Sequence, residues 1–414
     1  MTQPTRDLAL AAALAVGFVA LLAAQGWGIV GTDIAPLYLA GYLTAQGQPE
    51  LIYAAIPSFV GEPVARGWVE ASAAAGLENV VAYVYPPLWA ALAAPLTSVS
   101  AEAFSNAAMV ATLSAYALTT LAAWRLAQPA LSLPLFTAAA LGLSLASLPF
   151  LFAWSLVQPQ LVVIALTFWS VERLSVGKPK TAGILLGLAA AIKVFPILFA
   201  LLFVAERQGK AAATALATAA ALAGLSVLLM GWPAHAAFLA AGSELAQNTL
   251  LYGGNLTFSS LAHALIFASD IESFPPDNTF VSTRLWISLT SYAALLLGAV
   301  ATIRATKHLE EIRLPARLTL LTMCFTFFAP LAWAHYYAPL IVLMLAFYGR
   351  LPRAPWGVAL FATFAMGISP VGRWLISLPG TTPHLQIYMG AMLAIAAAAL
   401  IMALRPPRSP LSGA

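Results

Sequence analysis

The chain has 414 residues, of which only 34 are charged, 19 Lys or Arg and 15 Asp or Glu, where a soluble globular chain of this length would carry roughly 100. Hydrophobic residues make up 61% and mean hydropathy is +0.88, so a charge-rich aqueous surface cannot be assembled, which excludes a soluble enzyme, a disordered chain and a nucleic-acid binder. The single cysteine, Cys324, excludes a disulfide framework and a multi-cysteine metal site.

The first apolar run, Leu8 to Val30, is about long enough to cross a ~30 Å hydrocarbon core. It lacks a clear small-x-small cleavage site and predicts an uncleaved anchor helix. A polar interval follows from Gly31 to Tyr85, long for a membrane-protein loop. It predicts short interfacial helices, one running from Pro86-Pro87 to near Leu96. Further apolar stretches at 101–127, 131–149, 151–174, 211–230, 281–303, 314–330, 335–349, 354–371 and 384–404 predict membrane helices, because backbone polar groups in lipid must be satisfied internally. That gives about ten full spans. A second polar interval, Gly231 to Phe280, contains Trp232, His235, Glu244, Asn255, His263, Asp270, Glu272 and Asp277. The whole, residues 1–414, reads as one all-α, polytopic transmembrane domain.

The segment from Thr181 to Glu206 carries Lys193 in its middle and Pro196 just after it. As a single span it would divide the basic residues as 7 inside against 11 outside; as a broken hairpin at 181–206 it places 15 inside and leaves only Arg66, Arg284 and Arg373 outside. Basic residues mark the cytoplasmic side, so the hairpin is the expected topology. Both long polar intervals, 31–85 and 231–280, then face outward, and the net charge of +4 reports orientation.

A few polar residues are not explained by topology. Asp33 lies where the first helix leaves the membrane, and partial desolvation there would raise its pKa and make it a better base; the same position equally suits a cap for the next helix. Lys193 is costly inside a span, about 2.5–3.5 kcal/mol on insertion scales, and so marks a site with an anionic partner, or else a snorkelling or structural lysine. His335, in Trp333-Ala334-His335-Tyr336, is either a packing residue or a donor to phosphate. Gln158, in Gln158-Pro159-Gln160, is either a satisfied kink or a sugar or phosphate ligand. Asn255 is uninformative alone. Walker, dinucleotide, HExxH and DxD signatures are absent, which argues against nucleotide-sugar chemistry.

Together these motifs resemble glycosyltransferase family 87, polytopic enzymes of the GT-C type that include polyprenyl-phosphate-mannose-dependent mannosyltransferases. The resemblance covers roughly residues 25 to 350. It rests on Gly31-Thr32-Asp33, on Tyr83-Val84-Tyr85-Pro86-Pro87, on Gln158-Pro159-Gln160, on Ala182-Gly183 through Lys193 to Pro196, on Gly254-Asn255-Leu256-Thr257 and on Trp333-Ala334-His335-Tyr336. It implies an inverting transfer of a hexose, mannose by analogy, from a polyprenyl-phosphate donor to a lipid or glycan acceptor hydroxyl. The reaction would take place on the outer face of a bacterial plasma membrane. Asp33 matches the family's general base; Lys193, His335, Gln158, Asn255 and Tyr85 match substrate contacts. No metal and no cofactor are implied, the lipid-linked sugar being a substrate. The chain departs from the family's frequent paired histidines at His335-Tyr336, from its Asn-Gln start at Asn255-Leu256, and from an arginine where His263 stands nearby. The competing readings are a transporter or flippase of lipid-linked sugars and a non-catalytic assembly subunit.

Overall fold

The computed structural model of the chain describes residues 3–60, 63–78, 80–267, 279–366 and 382–405. Asp270, Glu272, Asp277, Arg373, Arg408 and the end of the 354–371 stretch lie outside the described residues.

Five helices are long and apolar enough to cross a membrane: α1 (Gln3–Gly26), α5 (Ala101–Ala127), α11 (Gly209–Gln247), α13 (Leu285–Ala305) and α17 (Thr382–Ala403). Between α1 and α5 come three short helices, α2 (Ala35–Ala45), α3 (Arg66–Ala74) and α4 (Pro87–Ala93). Large apolar side chains such as Leu14 and Val16 on α1, Leu228 on α11 and Leu297 on α13 stand exposed, as on an integral membrane protein whose outer solvent is lipid.

The remaining apolar stretches are cut shorter than composition predicts. Residues 131–175 form α6 (Leu133–Leu145), α7 (Leu148–Ser155) and α8 (Gln160–Ser175), the last two meeting at a bend of 119°. Pro159 has no N–H to continue a helix, and Val157 beside it takes φ of 50°, a left-handed conformation rare for a β-branched residue. Residues 313–366 form α14 (Arg313–Phe327), α15 (Pro339–Leu345) and α16 (Arg353–Met366). The helices long enough to cross on their own therefore number five among the described residues, or six with the bent pair joined, and do not by themselves supply a count of about ten. Hydropathy sums over prolines that the backbone cannot ignore.

Other differences concern the second polar interval. The second interval does not begin as a loop at Gly231: α11 breaks there, with Gly231 at φ 73°, and resumes to Gln247. It is followed by a two-stranded antiparallel ribbon, β1 (Asn248–Leu251) with β2 (Thr279–Ser282), so the fold is helical with one small ribbon. Helix α12 (Phe258–Phe267) sits between the strands in sequence.

The segment around Lys193 consists of α9 (Pro179–Ile192), a 3-10 turn from Phe195 to Phe199 and α10 (Ala200–Ala205). Helix α9 packs along α11 with both running the same way. A Cβ on Gly183 would meet the Ala211 carbonyl oxygen at 2.5 Å, and one on Gly187 would meet Thr218 at 2.5 Å. Since α9 and α11 start level with each other, residues 193–208 return the chain to the end from which α9 set out.

Charge is segregated between the two ends. At the end where α5 and α8 finish, Arg125 and Arg173 pair with the buried Glu172 at 3.0 and 2.5 Å. Glu206, after α10, pairs with Arg313 and Arg317 at 3.1 and 2.5 Å, and Arg350 reaches Glu311 at 3.1 Å. Asp33 and Lys193 lie at the other end.

The glycine contact yields a first prediction. Gly187→Leu overpacks the α9–α11 seam and should lower stability by about 1–3 kcal/mol, read as a lower melting temperature of the purified protein in detergent; an unchanged melting temperature would mean the two helices do not approach this closely.

Candidate active site

The connection after α1 delivers Asp33 and is tied down on two sides. Gly28 N–H donates to Asn106 Oδ1 at 3.0 Å and Gly31 N–H to Ser105 Oγ at 3.1 Å, both on α5. On the other side Asp33 N–H donates to the Leu156 carbonyl at 3.1 Å, at the α7–α8 bend. Gly31 makes this approach possible: a Cβ there would meet Val157 Cγ2 at 2.5 Å and the Leu156 oxygen at 2.7 Å.

The same bend exposes Gln158, only 2% accessible, to three partners. Its Nε2 donates to Asp33 Oδ2. Its Oε1 accepts from Tyr85 Oη at 2.9 Å and from Lys193 Nζ at 3.3 Å. Amide orientation is often ambiguous, but here chemistry fixes it, since the NH2 must face the carboxylate and the oxygen must face the hydroxyl and the ammonium.

Lys193 takes an extended conformation, φ −138°, immediately after α9 ends. Its Nζ also donates to Tyr336 Oη at 3.1 Å and lies 4.5 Å from the Tyr336 ring and 5.6 Å from the Tyr85 ring, within cation–π range. Among the described residues no carboxylate lies within ion-pairing distance of it. Burial holds the Asp33 carboxyl above the ordinary carboxylate range; the Lys193 charge and the Gln158 hydrogen bond pull the other way without cancelling it.

Two aromatic layers position this cluster. Tyr53, Tyr83 and Tyr85 pack at centroid distances of 5.6 and 5.7 Å, with Tyr53 Oη donating to the Tyr85 carbonyl at 2.7 Å. On the other side Tyr336 stacks on Phe195 at 5.5 Å, 14° from parallel. The cluster forms one end of a cavity of about 680 Å³ whose other walls include Val84, Ile192, Leu239, Phe325 and Leu331. Among the described residues, Asp33 is its only lining carboxylate and Lys193 its only lining cation.

Asp33, Lys193, Gln158 and Tyr85 therefore converge in one cluster. His335 does not line the cavity; it is buried behind Tyr336, ring centroids 5.0 Å apart, and its Nε2 has no hydrogen-bond partner among the described residues. Asn255 sits in a backbone clamp. It bridges to Trp333, its Nδ2 donates to the Leu250 carbonyl at 2.8 Å, and its Oδ1 accepts from Ala332 N–H at 3.3 Å. That clamp holds the turn bearing Trp333 and Tyr336. Tyr336 is the residue sequence reasoning passed over, although it stands next to His335 in the same aromatic motif.

The chain is thus an integral membrane protein with a desolvated carboxylate and an ammonium sharing one amide at the end of a largely apolar cavity. The sequence model of glycosyltransferase family 87 matches residues 83–332, well over half of the chain. The chain belongs to glycosyltransferase family 87. The matched stretch contains Tyr85, Gln158, Lys193 and Asn255, with Asp33 and Tyr336 outside it. A search of curated proteins returned no match.

The Gly31 contact makes the position of Asp33 testable. Gly31→Ala should push the loop off the α7–α8 bend and lower sugar transfer roughly 100-fold, the cost of a misplacement near 1 Å, with membrane insertion unchanged. Transfer at the wild-type rate would show that the close approach does not position Asp33.

Proposed function

We propose that this chain is an inverting GT-C type hexosyltransferase, of mannose by family resemblance. It moves the sugar from a polyprenyl-phosphate donor to an acceptor hydroxyl at the extracytoplasmic face. The observation that carries the reading is the Asp33–Gln158–Lys193 cluster at the polar end of a largely apolar cavity. The apolar walls suit a prenyl chain, and the polar end suits its phosphate and sugar. The gathering of arginines at the opposite end supports an outward-facing site.

The chemistry follows the charges. The acceptor oxygen attacks the anomeric carbon as its proton passes to the Asp33 carboxylate. The bond from that carbon to the phosphate oxygen breaks, and its electron pair goes to the phosphate. Asp33 becomes neutral while the phosphate gains one negative charge, so charge moves from one neighbour of Lys193 to the other. Lys193 Nζ and the Tyr336 hydroxyl are the donors available to the leaving phosphate, the Tyr85 hydroxyl being given to Gln158 Oε1. Gln158 is a positioning residue: it keeps the carboxylate oriented while the ammonium stays free to meet an anion.

Asp33→Asn should lower transfer from polyprenyl-phosphate-mannose by roughly 100- to 10,000-fold, the range of general-base catalysis, with membrane insertion intact. Undiminished transfer would remove Asp33 from the base role. Labelled product from purified protein, donor and membrane extract identifies the acceptor, and transfer from no such donor by intact protein overturns the reading.

A pH profile tests the same residue differently. Asp33 accepts a proton only when ionised, and burial raises its pKa. The rate should therefore fall as pH drops, with the acid limb above the ordinary aspartate value of about 4. A limb at or below that value would show an exposed carboxylate.

A further inference from the structure

A second groove leads toward the opposite end of the molecule. A groove of about 410 Å³ runs between α5, α8 and α9, walled by Leu118, Val162, Leu166, Trp169 and Leu185 and ending at Arg173. From Val162 to Arg173 it follows eleven residues of helix, about 16 Å. Leu118 stands 53% exposed beside it, and Ile184 and Leu188 on the neighbouring stretch of α9 are exposed too, so the groove opens toward lipid.

Its charged end is unbalanced. Arg125 and Arg173 share the single carboxylate of Glu172, which is fully buried. Both guanidinium groups lie over Trp169, at 6.0 and 5.5 Å from its ring. Arg173 gives Nε and Nη2 to Glu172, at 2.5 and 2.7 Å. Arg125 Nε lies 3.0 Å from the same carboxylate, no hydrogen bond from its two terminal nitrogens is found among the described residues, and its side chain is 45% exposed. Two cations and one anion leave one positive charge at the mouth of an apolar groove, which a phosphodiester would neutralise.

We propose that this groove binds an anionic glycerophospholipid, with one acyl chain along α8 and the phosphate on the outer edge of Arg125. Charge complementarity favours that occupant. A zwitterionic lipid restores the imbalance with its own cation, and a free phosphate leaves the apolar walls open to lipid tails. Basic pockets between membrane helices hold anionic headgroups in this way. The site is separate from the Asp33 cavity and does not depend on the reaction proposed for it.

The test uses the full chain, purified and delipidated in mild detergent, with native mass spectrometry and thermal melting read against added phosphatidylglycerol, phosphatidylcholine of the same chains, and inorganic phosphate. One phosphatidylglycerol should bind and raise the melting temperature, and neither of the other two should match it. Arg125→Gln should weaken binding roughly fivefold, the worth of one basic residue at a lipid surface. Ala115→Phe, which narrows the groove without touching charge, should weaken it as well and keeps the test open if Arg125→Gln fails to fold. Equal binding of phosphatidylcholine, protection by inorganic phosphate alone, or undiminished binding by either folded variant would overturn the proposal.

Discussion

One amide holds this site together. A carboxylate and an ammonium placed near the border of an apolar membrane protein are each costly to desolvate. If they touched directly they would form an inert ion pair. Gln158 stands between them with its NH2 on Asp33 and its oxygen toward Lys193 and Tyr85. Each charge receives a hydrogen bond of the right polarity, and neither is spent on the other. The proposed reaction, in which the carboxylate takes a proton and the ammonium meets a phosphate, requires that separation.

The rest of the fold serves that arrangement by breaking regular structure where the side chains are needed. The α7–α8 bend gives Gln158 its aim and offers the Leu156 carbonyl to the Asp33 backbone. The end of α9 releases Lys193 into an extended residue, and the clamp around Asn255 sets the turn that carries Tyr336. Three interruptions of helix meet at one point, while the ion pairs of Glu172, Glu206 and Glu311 with their arginines lie at the far end. The strain at Val157 sits where backbone strain is most often tolerated, beside functional groups.

Much of this was legible from the sequence because polar residues are conspicuous against so apolar a background. Asp33, Lys193 and Gln158 stand out by local context and Tyr85 by the family resemblance, and the structure brings all four together. Tyr336 was not legible: a 3-10 turn decides which of two adjacent residues faces the cavity, and His335 and Tyr336 are equally plausible in a string of letters. Asn255 was opaque for another reason, since its partners at 332–333 lie almost eighty residues away. The 151–174 stretch reads as one uninterrupted helix because hydropathy averages over Pro159, where the backbone bends. The continuation of α11 past Gly231 was missed because Gly231 and Pro233 look like a terminus. The chain there bends and resumes.

The contact between α9 and α11 carries a last consequence. Gly183 and Gly187 bring backbone onto backbone, so the height of α9 in the molecule is fixed by glycines that lie six and ten residues before Lys193. The intervening helix then works as a ruler. Each residue is worth about 1.5 Å of rise and about 100° of rotation, so one residue more or fewer between Gly187 and Lys193 would turn the ammonium away from Gln158 while leaving every apolar contact chemically plausible. The count of residues in that short stretch, more than their identity, is what aims Lys193 at the cluster.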